Sequence, residues 1–285
     1  MRGYLKEIFI SIAAMLLMLL AITAYFKAVR EEKTNSRSDV YALVPPNAHT
    51  LLAVNRPVVF NRMILNNPSL YRMFSGEIPE VFLSIIRGNQ QMSLVVFSFH
   101  AQGVICYMQA GSKTAARITK EILPEKYKPY LPQQQIENGI DFYYYPDTEN
   151  RFFGYYVYNG IWVGSYSRKL LERAAVQQLN GEVLLPAGMN DRRASFDTNA
   201  PLNIICQADE LGISSLEWLS ADLFVSEGKI CCYGSLPYDA LGDSLYRSIG
   251  ETLSQRITAR YPRLQLSFQI SREDESVYLT GCSPI

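Results

Sequence analysis

The chain has 285 residues, in which 27 Lys and Arg balance 27 Asp and Glu, with 2 His. Without residues 1–37 it keeps 21 basic and 24 acidic residues, a net charge of −3, so there is no basic field to hold a nucleic acid and that partner class is excluded. Five cysteines without a CxxC, and two histidines without a companion at ligand spacing, make no metal motif, and no cofactor is implied.

After a short flank, residues 1–7, the stretch Ile8–Phe26 carries no charge, and only Ser11 and Thr23 are clearly polar. At about 1.5 Å per residue it spans roughly 28 Å, close to the hydrocarbon thickness of a bilayer. A buried helix of a globular domain keeps a polar stripe, and this stretch has none. It is longer than the apolar region of a cleaved signal, and bulky Tyr25 and Phe26 follow Ala24 where a small-x-small site is needed. Residues 8–26 therefore read as an uncleaved single-pass transmembrane helix, with the membrane as first partner. Lys27, Arg30, Lys33 and Arg37 outnumber Arg2 and Lys6, which argues for a cytoplasmic domain, but long domains translocate largely regardless of charge. The expectation is a bacterial inner-membrane protein with a periplasmic C-terminal domain. Residues 27–39, polar and charged, read as a tether.

The domain opens with a turn at Pro45-Pro46-Asn47, and Thr50–Asn55 reads as a short strand. Helical runs follow at Pro57–Leu65 and Pro68–Phe74, then one with Ile78, Phe82, Ile85 and Ile86 on a single face, stopped by Gly88. Two apolar runs around His100–Gly103 predict a hairpin. SKTAARITKEIL predicts a helix capped by Ser112, ending before Pro124. IENGIDFYYYP predicts a strand, and RFFGYYVYNGIWVGSYS a hairpin turning on Asn159-Gly160. A helix then runs from its cap, Ser167, to Asn180. Residues 181–200 are polar and irregular and read as a linker. Beyond it come a strand (PLNIICQAD), a helical stretch (ISSLEWL), a hairpin through Glu227-Gly228, a long helix (ALGDSLYRSIGETLSQRITAR) and two closing strands around Glu273–Glu275.

The order repeats, so the fold class is α+β: antiparallel sheets packed with helices in two similar halves, residues 40–180 and a shorter 201–285. The anchor, the opening VPPNAHTLLAVNRP and the strand–helix GIWVGSYSRKLLERA resemble a family of bacterial membrane-anchored proteins of unknown function, whose ectodomains are built from paired α+β units. The likeness covers Val44–Leu179 better than the rest. It implies the architecture and a helix beginning in Gly164–Leu171, and it brings no catalytic residues. The chain departs from that pattern in carrying no helix after its second strand pair.

Chemistry is sparse. Gly164-Ser165-Tyr166-Ser167 has one glycine where a nucleophile elbow needs two, so Ser165 or Ser167 reads as a helix cap. Cys106, Cys206, Cys231 and Cys232 lie in apolar strand-like runs and read as small buried hydrophobes. Export permits a disulfide whose partners sequence does not choose, except that Cys231 and Cys232 point to opposite faces and do not join each other. The feature with functional colour is aromatic. FYYYP, RFFGYYVY and IWVGSY put rings on both faces of their strands, meaning either burial on both sides or an exposed binding platform of Tyr143, Tyr145, Tyr156, Tyr158 and Trp162. The first functional expectation is a non-enzymatic interaction or envelope-organising domain, with another envelope protein as partner. The alternative is a carbohydrate-binding module or glycan-acting enzyme using that sheet with the turn carboxylates Glu137, Asp141, Asp147 and Glu149.

Overall fold

The computed structural model describes residues 17–26, 39–89, 91–180, 185, 187–211, 217–226, 229–237, 242–260, 267–273 and 276–284. The chain forms two units, Met1–Asp39 and Val40–Ile285. In the first, residues 17–26 are helical and exposed throughout. Residues 8–16 of the expected anchor, and most of the tether, lie outside the described residues. Among the described residues no helix is long and apolar enough to cross a membrane.

The second unit is built on twelve antiparallel strands. They are β1 (Thr50–Val54), β2 (Leu94–His100), β3 (Gly103–Gln109), β4 (Gln133–Glu137), β5 (Ile140–Pro146), β6 (Phe152–Tyr158), β7 (Ile161–Ser165), β8 (Leu202–Gln207), β9 (Trp218–Ser226), β10 (Lys229–Pro237), β11 (Ser267–Glu273) and β12 (Ser276–Pro284). They lie in the order β11-β12-β10-β9-β8-β1-β2-β3-β7-β6-β5-β4. Separate sheets were expected, and the finding is one continuous sheet. It is closed at its centre by β1 on β8, where Thr50 faces Cys206 and Val54 faces Leu202. Outward from that seam the order is alike on both sides: a strand, a hairpin, then the last strand of the segment and its partner. The β4–β5 hairpin extends only the first side.

The helices are α1 (Pro57–Asn66), α2 (Pro68–Glu77), α3 (Glu80–Gly88), α4 (Gly111–Arg117), α5 (Arg168–Asn180), α6 (Ala187–Ala194) and α7 (Gly242–Arg260). The α4 helix runs on through a π turn, Ile118–Ile122, into Leu123–Lys126. Pro57 and Pro68 open α1 and α2 where their missing N–H costs nothing, and Asn67 caps α2 by accepting from the N–H groups of Ser69 and Leu70. One face of the sheet packs under α1 to α3 and the α4 run, in a cluster that includes Phe60, Phe82, Phe97, Phe153 and Trp162. The other packs against the opening turn Val40–Leu43 and α5, with Tyr107, Phe142, Tyr156 and Leu171. Under α7 lies a third cluster, with Leu219, Leu236, Ile249 and Leu279.

Three expectations change. Residues 136–146, read as one strand, contain the turn Asn138-Gly139 of a hairpin, β4–β5. The linker 181–200 contains α6, whose Met189 is fully buried and whose Arg193 guanidinium lies 4.0 Å from the Tyr41 ring centroid. The ISSLEWL stretch falls partly outside the described residues, and Trp218 within it begins β9 rather than continuing a helix. The α5 start also differs in detail. Ser165, not Ser167, supplies the side chain there: its hydroxyl accepts from the Ser167 N–H at 2.9 Å and donates to the Val104 carbonyl at 2.8 Å.

Candidate functional site

The five predicted platform residues do not share a face. Strand alternation puts Tyr143, Tyr145 and Trp162 on the α1–α4 side, and Tyr156 and Tyr158 on the α5 side. Trp162, Tyr145 and Tyr156 are buried to within 1% of completely, and Tyr143 and Tyr158 are half-buried. Tyr145 stacks on Tyr127 at 4.8 Å, and Trp162 on Tyr155 and Phe153 at 5.9 and 6.2 Å. These rings are core, and the sheet here is covered on both sides. Three of the turn carboxylates are also engaged. Glu137 pairs with Arg168, Asp141 accepts from the Gln134 amide, and Asp147 accepts from Tyr166 at 2.6 Å. Tyr166 in turn accepts from Tyr127 at 3.2 Å, and burial holds its phenol up at about 12. Glu149 sits in the short turn Thr148–Asn150. Among the described residues no three His, Cys, Asp or Glu gather as a metal site.

His100, the last residue of β2, is buried, and its Nε2 lies 2.7 Å from the Ser98 hydroxyl. Burial lowers its pKa to about 4, with a smaller contribution from the positive charge of Arg173. The fold therefore holds the neutral imidazole, whereas the unfolded chain protonates near 6.5. Stability from this group is complete above about 6.5 and is lost as the pH falls through 6.5 towards 4. An acid-unfolding series should show that loss, on the order of 3 kcal/mol at most, and His100→Gln should flatten the slope in that window. An unchanged slope would mean His100 does not set it.

The concavity with a distinct chemistry spans the β1/β8 seam and reaches the strands beyond it, with Gly234 inside a strand as its one local sign in the sequence. A cavity of about 290 Å³ sits between the sheet and helices α2 and α7. Its floor follows from register. Cys206 faces Leu219, Ala221 faces Gly234, and Leu223 faces Cys232. On the cavity side these strands thus present a thiol, a methyl, no side chain and a thiol: Cys206, Ala221, Gly234 and Cys232. They form a diagonal trough from β8 to β10. Longer side chains wall it, with Leu52, Ile204 and Leu223 to one side and Leu219, Leu236 and Leu279 to the other. Phe74 from α2, Ile78 just after it, and Leu253 and Ile257 from α7 roof it. Burial raises the Cys232 thiol to about 12, so it lines the cavity as a neutral, unreactive group. Polar side chains also line it: half-buried Thr50, which faces Cys206 across the seam, its neighbour His49, and Glu77 at the end of α2. The opposite face of the same strands carries a disulfide between Cys231 and Cys282, which face each other across β10 and β12.

No family model and no curated relative matches the chain. Among solved structures, crystal form I of the bacterial protein TP0453 matches with a TM-score of 0.53 at 13% identity, over 88% of this chain and 94% of that one. Crystal form IV of the same protein matches with a TM-score of 0.47, at 13% identity, over 87% and 94%. The first likeness shows the fold alone.

Proposed function

We propose that this chain is a membrane-anchored, extracytoplasmic binding domain that carries an apolar ligand between its sheet and helices α2 and α7, without catalysing a reaction on it. The observation that carries the reading is the cavity: about 290 Å³ with an almost wholly apolar lining, near the lower bound of about 300 Å³ for small-molecule sites. Well-packed interiors leave few voids larger than a water, so a space of this size between a sheet and its helices is a built feature. The anchor through residues 8–26 belongs to the same reading, as does placement in a bacterial inner membrane. Leu17, Met18, Leu20, Tyr25 and Phe26 are each more than 60% exposed, a surface suited to lipid. The Cys231–Cys282 disulfide suits an oxidising compartment. With the chain tagged at its C terminus in spheroplasts, added protease should remove the tag; its survival would place the domain in the cytoplasm.

The binding test is a titration with a polarity-sensitive fluorescent amphiphile, with Ala221→Phe as the comparison. The phenyl group projects into the trough, so the fluorescence gain of the unsubstituted chain should fall at least tenfold in affinity while the circular dichroism spectrum is retained. Equal binding by both would assign the signal to the exposed apolar segment at residues 17–26 and remove the cavity from the account.

A further inference from the structure

Resting on the reading that the cavity binds a ligand, we propose that its occupant is a single-chain amphiphile with a tail of about ten carbons, its head at the His49–Thr50–Glu77 edge and its tail running towards Cys232. Three features argue for it. The first is volume: 290 Å³ at about 30 Å³ for each water-sized group holds on the order of ten chain atoms, too few for a two-chain lipid. The second is shape. Cys206, Ala221, Gly234 and Cys232 make a trough one short side chain wide, crossing three strands diagonally. A β-carbon on Gly234 would lie 2.9 Å from the Ser220 carbonyl oxygen, so the floor is fixed by backbone and cannot be deepened by a side-chain shift. The third is polarity. The hydrogen-bonding and ionisable side chains lie at the end where the trough begins, with His49 Nδ1 3.2 Å from the Thr50 hydroxyl, whereas the Cys232 end is closed by Ile230, Leu223 and Phe268. A ligand matching this gradient has one hydrogen-bonding end and one alkyl end.

The test is a chain-length series. Straight-chain carboxylates of six to sixteen carbons are titrated against the full chain in nanodiscs by calorimetry, with empty nanodiscs and the Ala221→Phe variant as blanks. Each added methylene should tighten binding about fourfold, until the trough is full at about ten carbons, and then the gain should stop. Cys232→Leu shortens the tail end and should move the plateau down by about two carbons. Thr50→Val should weaken every member alike and leave the plateau in place. The plateau in the unsubstituted chain stands as a result even if neither variant folds. Affinity that climbs through sixteen carbons, or a plateau unmoved in a folded Cys232→Leu variant, overturns the assignment of length and direction while leaving the binding reading intact. Binding of the fluorescent probe without binding of any carboxylate overturns the choice of ligand class. Loss of probe binding in the unsubstituted chain would instead sink the binding reading itself.

Discussion

Replacing Trp162 by alanine is expected to lower the unfolding free energy of the domain by about 3–5 kcal/mol, the range for emptying a large aromatic site in a core. The side chain is fully buried between Phe82, Phe153 and Tyr155, with ring centroids 5.9–6.4 Å away. Its six-membered ring also covers Gly164, where a β-carbon would lie 2.3 Å from it. Helix α3 holds Phe82 from one side and the sheet holds the others, so the vacated space has little to collapse into it. Trp162→Phe separates volume from polarity. The indole N–H has no acceptor among the described residues, so its removal strands no partner, and the cost should fall to about 1–2 kcal/mol for volume alone. Denaturant midpoints measure both. An alanine variant as stable as the parent would return these rings to the role of an exposed platform.

Opening the Cys231–Cys282 bond is the second large effect. The bond closes a segment of sequence separation 51, and chain-entropy reasoning gives about 4 kcal/mol for constraining such a loop in the unfolded state. It also ties β12 to β10, and β11 reaches the sheet only through β12. The outer strands of the second segment should therefore loosen most, visible as faster amide exchange in 267–284 than in β5 and β6. Cys231→Ser and Cys282→Ser should each unfold at lower denaturant than the parent, and a reductant should bring the parent down to their level without affecting them. A parent insensitive to reductant would contradict a stabilising bond.

The parts of this fold that were legible in the sequence are those fixed by neighbours along the chain. Asn159 and Gly160 carry positive φ of 48° and 77°, as their hairpin turn requires, and the helix over Pro57–Asn66 follows its proline start signal. Asn138-Gly139 makes the same kind of turn, with φ of 51° and 76°, and the β4–β5 hairpin was readable from it. What escaped has no local cause. The β1–β8 seam joins residues about 150 positions apart, with the Asn55 amide hydrogen-bonded to Asn203 across it, and nothing near either strand announces the other. Helix α6 is too polar to show an apolar stripe, and it is held by single contacts such as Arg193 over Tyr41. The aromatic strands were read as two-sided, and they are. Whether two-sided rings are platform or core depends on α1–α4 and α5, which no strand sequence reveals. The cavity depends on four small residues on three strands meeting through register. Gly234, inside a strand, was its one local sign, since glycine there weakens a strand unless something must pass close to it.

The most direct measurement is native mass spectrometry of the full chain, purified in detergent from the cells that make it and released from that detergent in the gas phase, beside Ala221→Phe treated identically. The account predicts a mass above that of the bare chain in the first, falling to the bare mass on mild activation, and the bare mass alone in the second. Two bare chains, or the same adduct on both, would contradict a ligand held in the trough.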